Sequence, residues 1–302
     1  MSPIYDALNR VEKPAPIRKI GSETDVAPAS APEPVSLNPA ASARTHDVRA
    51  SSINRAIDED ELAQCPLNTW VPDTSMLFFG SEELGHGREE FRRLRARLYQ
   101  LRETRPVKSI LVTSALPGEG RSFTAANLAQ VMARQQGCRA LLIDADLRSP
   151  SLHKVLGTSP SPGLSEFLLG DAKELEVIQR GQMENLFFIP AGPPVTGQTE
   201  LICNGRLRIL LNGLESLFEW IIIDSPAAIP VSDSVVMANF CDGVLIIVRS
   251  NLTPFDVVRK TRQRFPDEHV LGVVLNGTAP DPHLDGYYRA SGAEPGTADK
   301  ED

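Results

Sequence analysis

Cysteine is scarce in this chain of 302 residues. Cys65, Cys138, Cys203 and Cys241 are scattered, with no spacing that would serve a zinc site or a disulfide framework, and are expected as reduced thiols. The five histidines lack metal spacing as well. Long hydrophobic runs are missing. The longest, such as 220–223 and 244–248, fall far below the roughly 18 apolar residues that a membrane-spanning helix needs. The N-terminus has no signal-peptide pattern, so a cytoplasmic protein is expected. Positive charge is in deficit: 31 Lys and Arg against 39 Asp and Glu leave a net charge of -8, which argues against a nucleic-acid partner. No internal repeat is visible.

What is present divides the chain into five parts. Residues 1–13 place Ile4, Ala7, Leu8 and Val11 on one side and Asp6, Asn9 and Arg10 on the other, the pattern of an amphipathic helix too short to hold alone. From 14 to 50, Pro, Ala, Ser and Thr replace any apolar period, which predicts a disordered tether. Residues 51–80 carry Leu67, Trp70, Val71, Leu77 and Phe78 and read as an extended segment packed on the domain that follows. The fourth part, 81–278, opens with Phe91, Leu94, Leu98 and Leu101 at helical spacing among seven arginines, a helix with one apolar seam. Beyond it, apolar runs at 110–112, 140–143, 187–189, 221–223, 244–248 and 271–275 alternate with helical patterns. Unbroken rather than alternating hydrophobicity means that both faces of each strand are covered, and the intervening helices supply the cover. The pattern predicts an α/β domain with a mostly parallel sheet flanked by helices. Residues 279–302, rich in Gly, Pro and acids, are expected to form a disordered tail.

Three run ends carry the chemistry. The first run reaches Ser114 and continues through Ala115, Leu116, Pro117, Gly118, Glu119, Gly120, Arg121 and Ser122 into a helical pattern. Glycines there let successive backbone N–H groups and the helix start converge on one anion, with Ser122 placed to ligate Mg2+. A glycine-rich turn without a ligand is the alternative. Ala115 replaces the usual first glycine and Arg121 the usual lysine. The second run delivers Asp144 and Asp146, alternate residues that face one way on an extended chain, toward a metal-bound phosphate or a nucleophile; turn acids at the surface would look the same. The third ends in Asp224, Ser225 and Pro226, as a Walker B aspartate is presented to Mg2+.

Together the segments 114–122, 143–150 and 223–226, with Ser232 and Asp233 downstream, resemble the bacterial tyrosine kinases of capsule and exopolysaccharide synthesis. Residues 143–150 look like that family's Walker A′ motif. Glu89, Arg92 and Arg95 look like its oligomerisation motif, and their spacing of three puts the charges near one side of a helix, where a solvated face is the other reading. The opening residues 2–8 are similar to the N-termini of some exopolysaccharide-associated members. The resemblance implies a P-loop NTPase fold of the SIMIBI or MinD-like type, with ATP and Mg2+ as cofactors. Pro117, Gly118, Glu119, Gly120, Arg121, Ser122 and Phe123 would hold the nucleotide, and Ser122, Asp146 and Asp224 the metal. Arg121, Asp144, Asp146 and Asp224 would carry catalysis. Asn276 would approach the adenine, or be a plain turn residue before Gly277. Tyr287 and Tyr288 would be phosphoacceptors, or two exposed aromatics. The family also implies a ring-shaped homo-oligomer, a separate membrane polysaccharide co-polymerase that holds the chain at the inner membrane, and a cognate tyrosine phosphatase.

Arginine is a broad planar fork where lysine is a slim point charge, so Arg121 favours binding over transfer. Two functions stay open on that ground: an autokinase of weak or conditional activity, and a nucleotide-binding scaffold without kinase activity. A positioning ATPase of the ParA/MinD type is a third. Those proteins place a signature lysine where this chain has Leu116, and their membrane-seeking members end in a basic amphipathic helix where this chain has the acid-ended 286–302.

Overall fold

The computed structural model describes residues 59–79 and 86–278. The expected N-terminal helix, the tether and the tail with Tyr287 and Tyr288 lie outside the described residues. A short helix, α1 (Glu59–Ala63), precedes an irregular strap over 64–79. Next come α2 (His86–Thr104), β1 (Ser109–Ser114), α3 (Arg121–Ala133) and β2 (Ala140–Asp144). Three short helices follow, α4 (Leu152–Leu156), α5 (Leu164–Leu169) and α6 (Glu174–Val177), before the strands β3 (Gln179–Arg180) and β4 (Leu186–Ile189). The chain continues through α7 (Gln198–Cys203), α8 (Arg206–Leu214), β5 (Trp220–Asp224), α9 (Asp233–Ala238), β6 (Gly243–Arg249), α10 (Phe255–Arg262) and β7 (Val270–Asn276).

The strands form one seven-stranded sheet in the order β3-β4-β2-β5-β1-β6-β7, parallel except for the two-residue edge strand β3. Their side chains alternate between two cores, as the two-residue period of a strand requires. Ile110, Val112, Leu142, Phe188, Ile222 and Ile247 face α2, α3 and the strap. Leu111, Leu141, Ile143, Ile189, Ile223 and Ile246 face the helices α5 to α10. The consequence for function is positional. β2, β5 and β1 are neighbours at the centre, so the three sequence motifs at their C-terminal ends meet at one edge, where open α/β sheets bind ligands.

The strap is sewn onto the α3 side. Trp70 is buried against Gly181, where a Cβ would stand 2.3 Å from the indole, so that position requires glycine. Backbone bonds run from Val71 N to Gly157 O (3.1 Å) and from Asp73 N to Val155 O (2.8 Å). Two polar side chains in the middle of α3 take the next turns. Asn127 Oδ1 accepts from Leu77 N (2.8 Å), and Gln130 Oε1 accepts from Phe78 N (3.1 Å). Arg134 donates to the Phe78 carbonyl. Buried amides are thereby satisfied by strap backbone rather than left as unpaired groups inside a core. Cys65, Cys138 and Cys241 are buried thiols, and burial pushes the Cys65 thiol up to about 11; Cys203 is exposed.

Candidate active site

The phosphate loop begins where β1 ends. Gly118 and Gly120 take positive φ values of 80° and 92°, a region that L side chains avoid, and they bend the chain into the start of α3. No side chain caps that helix at Gly120, so its first N–H groups and the positive end of its dipole remain for an anion. The backbone at Arg121, Ser122 and Phe123 forms this first turn, while the Phe123 ring leans on Phe91 of α2, centroids 5.8 Å apart. Pro117 and Gly118 are exposed at the loop's tip.

The side chain of Glu119 turns away from the anion position. Its Oε2 accepts from Leu116 N at 2.7 Å and its Oε1 accepts from the Thr253 hydroxyl, so it staples the loop to itself and to the segment after β6. Arg249 Nη1 donates to Gly118 O (3.0 Å) and Asn276 Nδ2 donates to Glu119 O (2.9 Å). Asn276 therefore braces the phosphate loop from the end of β7; its carboxamide is committed to a loop carbonyl rather than turned outward. Replacing that donor with an acceptor, Asn276→Asp, sets two oxygens against each other and should weaken nucleotide binding by about 1–3 kcal/mol. Asn276→Ala should cost less. Titrations with ATP and GTP check the role: a brace weakens both equally, whereas a base-reading side chain would change their ratio.

Asp144 and Asp224 end neighbouring strands in direct register. Asp144 Oδ2 accepts from Ser151 N (3.2 Å) and Leu152 N (3.1 Å) at the start of α4. Neither oxygen of Asp224 has a hydrogen-bond partner of ordinary geometry, although the Ser122 hydroxyl beside it eases its charge. Both carboxyls are fully buried and both pKa values are pushed up, first by burial; the charge of Asp144 raises Asp224 further. Two buried acids side by side, one of them with unpartnered oxygens, are relieved by a shared proton or by a cation. Among the described residues no three His, Cys, Asp or Glu form a metal cage of their own. That fits Mg2+, which usually takes one or two carboxylates and completes its shell with water and phosphate oxygens. The orphaned oxygens of Asp224 and the hydroxyl of Ser122, itself accepting from Ser151 Oγ at 3.2 Å, are the fitting donors.

Asp146 follows Asp144 by two residues, and its backbone N–H donates to Asp144 Oδ1 (3.3 Å). Its Oδ2 is 3.1 Å from Arg121 Nη2. Further out, Arg148 Nε and Nη2 grip both oxygens of buried Asp233 at 2.7 and 3.2 Å, and Thr199 Oγ1 adds a bond of 2.6 Å to the same acid. This cluster ties the β2 loop to α7 and α9. Sequence reading gave Asp233 no role of its own; an isolated acid seven residues after Pro226 offers no sign of its arginine partner. Glu89 and Arg92 pair with each other at 3.5 Å, whereas Arg95 Nη1 donates to Val131 O at the end of α3 (2.9 Å). Arg95 thus secures α2 to α3 within this chain.

A phosphate loop leaving β1 of a mostly parallel sheet, with aspartates ending β5 beside it and β2 one strand further on, defines a P-loop nucleotide-binding protein. No protein-family model matches the chain. Tyrosine-protein kinase YwqD of Bacillus subtilis is 32% identical over 203 residues, 66% of this chain and 85% of that protein. By that likeness the chain belongs to the bacterial tyrosine kinase family. The succinoglycan biosynthesis transport protein ExoP of Rhizobium meliloti is 34% identical over 195 residues, 63% of this chain but 25% of that longer protein. Among solved structures, the chimerical protein CapA2B2 shares the fold with a TM-score of 0.64 and 29% identity, over 74% of this chain and 98% of its own. No helix among the described residues is long and apolar enough to cross a membrane.

Proposed function

We propose that this chain is an ATP- and Mg2+-dependent protein tyrosine kinase that serves the making and export of an exopolysaccharide or capsule, together with a membrane co-polymerase supplied as a separate subunit. The observation that supports it is buried Asp224, whose two oxygens lack partners, set beside Asp144 and an uncapped helix N-terminus, so that a cation's demand lies next to an anion site. YwqD carries the kinase name and ExoP the polysaccharide one. In the reaction, the tyrosine oxygen bonds to the γ-phosphorus of ATP as the bond from that phosphorus to the β,γ-bridging oxygen breaks, and ADP leaves. The tyrosine proton passes to the aspartate cluster. Ser122 and Asp224 would hold Mg2+, which when bound would supply charge neutralisation at the phosphates. Arg121 and the first N–H groups of α3 bind and orient the phosphates, so the chain contributes mainly position and charge. Tyr287 and Tyr288 are the proposed acceptors, and Glu89 and Arg92 the proposed contacts of a homo-oligomer, with Arg95 supporting the helix that bears them.

A second reading, a nucleotide-dependent scaffold with no transfer, is favoured by one contact: Arg121, in the lysine position, is already paired with Asp146. One experiment separates the two. Purified chain incubated with Mg-ATP should gain phosphotyrosine at Tyr287 or Tyr288, with Asp224→Ala as the blank. If only Arg121→Lys becomes phosphorylated while both bind ATP, the scaffold reading holds and the kinase reading falls.

A further inference from the structure

The guanidinium of Arg121 is shared between several claims. Nη2 lies 3.1 Å from Asp146 Oδ2, Nη1 lies 3.5 Å from Ser114 Oγ, and Nε is buried with no partner. Both members of the ion pair are shielded, with side chains 13% and 8% exposed. Asp146 does not depend on Arg121 for its orientation. Its other oxygen accepts from Arg148 N (3.3 Å) and Ser149 N (3.0 Å), so the backbone of the β2 loop aims the acid at the phosphate loop whether or not a cation is there. Lysine at position 121 would offer one compact charge on an unbranched stem. Arginine offers five N–H groups in a fixed plane and can serve two anions at once.

We propose that Arg121 bridges Asp146 and the nucleotide, keeping its Nη2 bond to the aspartate while the unpartnered Nε–H takes a phosphate oxygen, so that Asp146 sets phosphate affinity through Arg121. The proposal rests on the nucleotide-binding reading of this site and adds a specific control to it. A cation neutralised in part by a fixed carboxylate attracts phosphate less than a free one, and in a shielded site that difference is large. Asp146 is then a positioning and attenuating residue: it holds the guanidinium plane and lowers its pull. With Oδ2 engaged by Arg121, it also leaves the metal side of the site to Asp224 and Ser122. The acids that share this field are Asp144 and Asp224 on the sheet edge, while Glu119 spends its charge within the loop.

The test is a double-mutant cycle read by nucleotide affinity without Mg2+, using fluorescent mant-ADP and four full-length chains: natural, Asp146→Asn, Arg121→Lys and the double variant. Asn at 146 keeps an oxygen for the Arg148 and Ser149 amides, and thermal melts confirm that each chain is folded. The expected result is that Asp146→Asn tightens mant-ADP about fivefold in the natural chain and less than about twofold beside Arg121→Lys, a coupling of the size measured between residues in contact. Equal tightening in both backgrounds would make Asp146 a general repulsive charge and overturn the bridge. Weaker binding in both would make Asp146 a structural prop and overturn it too. If no folded chain binds mant-ADP, the nucleotide reading itself fails and takes the bridge with it, an outcome distinct from the other two.

Discussion

Asp224→Asn should abolish phosphoryl transfer and stabilise the domain in the same step. The two effects have one origin. Asp224 is buried, its oxygens lack hydrogen-bond partners, and a second acid, Asp144, ends the adjacent strand in register. Such a site is costly in the isolated protein and useful only when a cation and phosphates arrive, the usual exchange of stability for function at a binding centre. Transfer should fall by at least about a thousandfold, the scale reached when a preorganised charge at a reacting phosphate or oxyanion is removed. Stability should move the other way, with a sign fixed by protonation. Folding raises the Asp224 pKa from the ordinary carboxylate range to above neutrality, first through burial and then through Asp144. The folded chain therefore holds this proton where the unfolded chain has released it, and stability present at low pH is lost as pH climbs through that interval. The amide introduced by Asp224→Asn has no such loss and can donate to Asp144. At pH 8.5 the gain should be on the order of 1–2 kcal/mol, or about 3–6 °C in melting midpoint, and should shrink toward pH 5. Thermal melts across that range decide it: a gain that is flat with pH, or absent at pH 8.5, would mean that no unpaired buried charge resides there.

Gly120→Ala should damage nucleotide binding itself, for a steric reason. Gly120 combines a φ of 92° with a neighbour so close that an added Cβ would stand 2.0 Å from Asn276 Nδ2. Alanine must leave the left-handed region or push the asparagine off the Glu119 carbonyl, and either change disperses the N–H groups that converge on phosphate. Affinity for mant-ADP should fall by about a hundredfold, the scale on which small displacements of positioned groups are felt, with roughly 1–2 kcal/mol of stability lost as well. Gly118→Ala is the internal comparison. It shares the positive φ, 80°, but nothing lies within 4 Å of its added carbon, so it bears only the backbone strain. Equal losses at 118 and 120, measured by the same titration and melts, would show that the collision with Asn276 does not matter.

Much of this architecture was legible because the central strands are buried on both faces and so appear as unbroken apolar runs, from 110–112 to 244–248. The edge strand β3 was not, since two residues, Gln179 and Arg180, make no pattern. In the site, the spacing of Gly118, Gly120, Ser122, Asp144 and Asp224 could be read because each lies at a strand end or in the turn and helix start that follow it. The partners could not. Arg121 meets Asp146 only because β2 and β1 both flank β5, and Asn276 meets Glu119 across 157 positions of sequence. Glu119 was grouped with the phosphate binders by its place in the loop, yet its carboxylate serves the loop's own backbone. Asn127 and Gln130 looked like two polar residues in a helix; their purpose exists only once the strap is laid over them.

That strap fixes where the folding unit starts. By motif alone the domain would be cut at residue 81, just ahead of α2. Such a cut would leave Asn127 Oδ1 and Gln130 Oε1 without their donors, empty the slot that Trp70 fills beside Gly181, and bare the apolar face that Met76 and Phe78 cover. A fragment built to isolate the kinase-like part therefore has to include the strap, from residue 64 onward. The same helix that opens on the phosphate loop is held along its length by the stretch of chain immediately upstream of the domain.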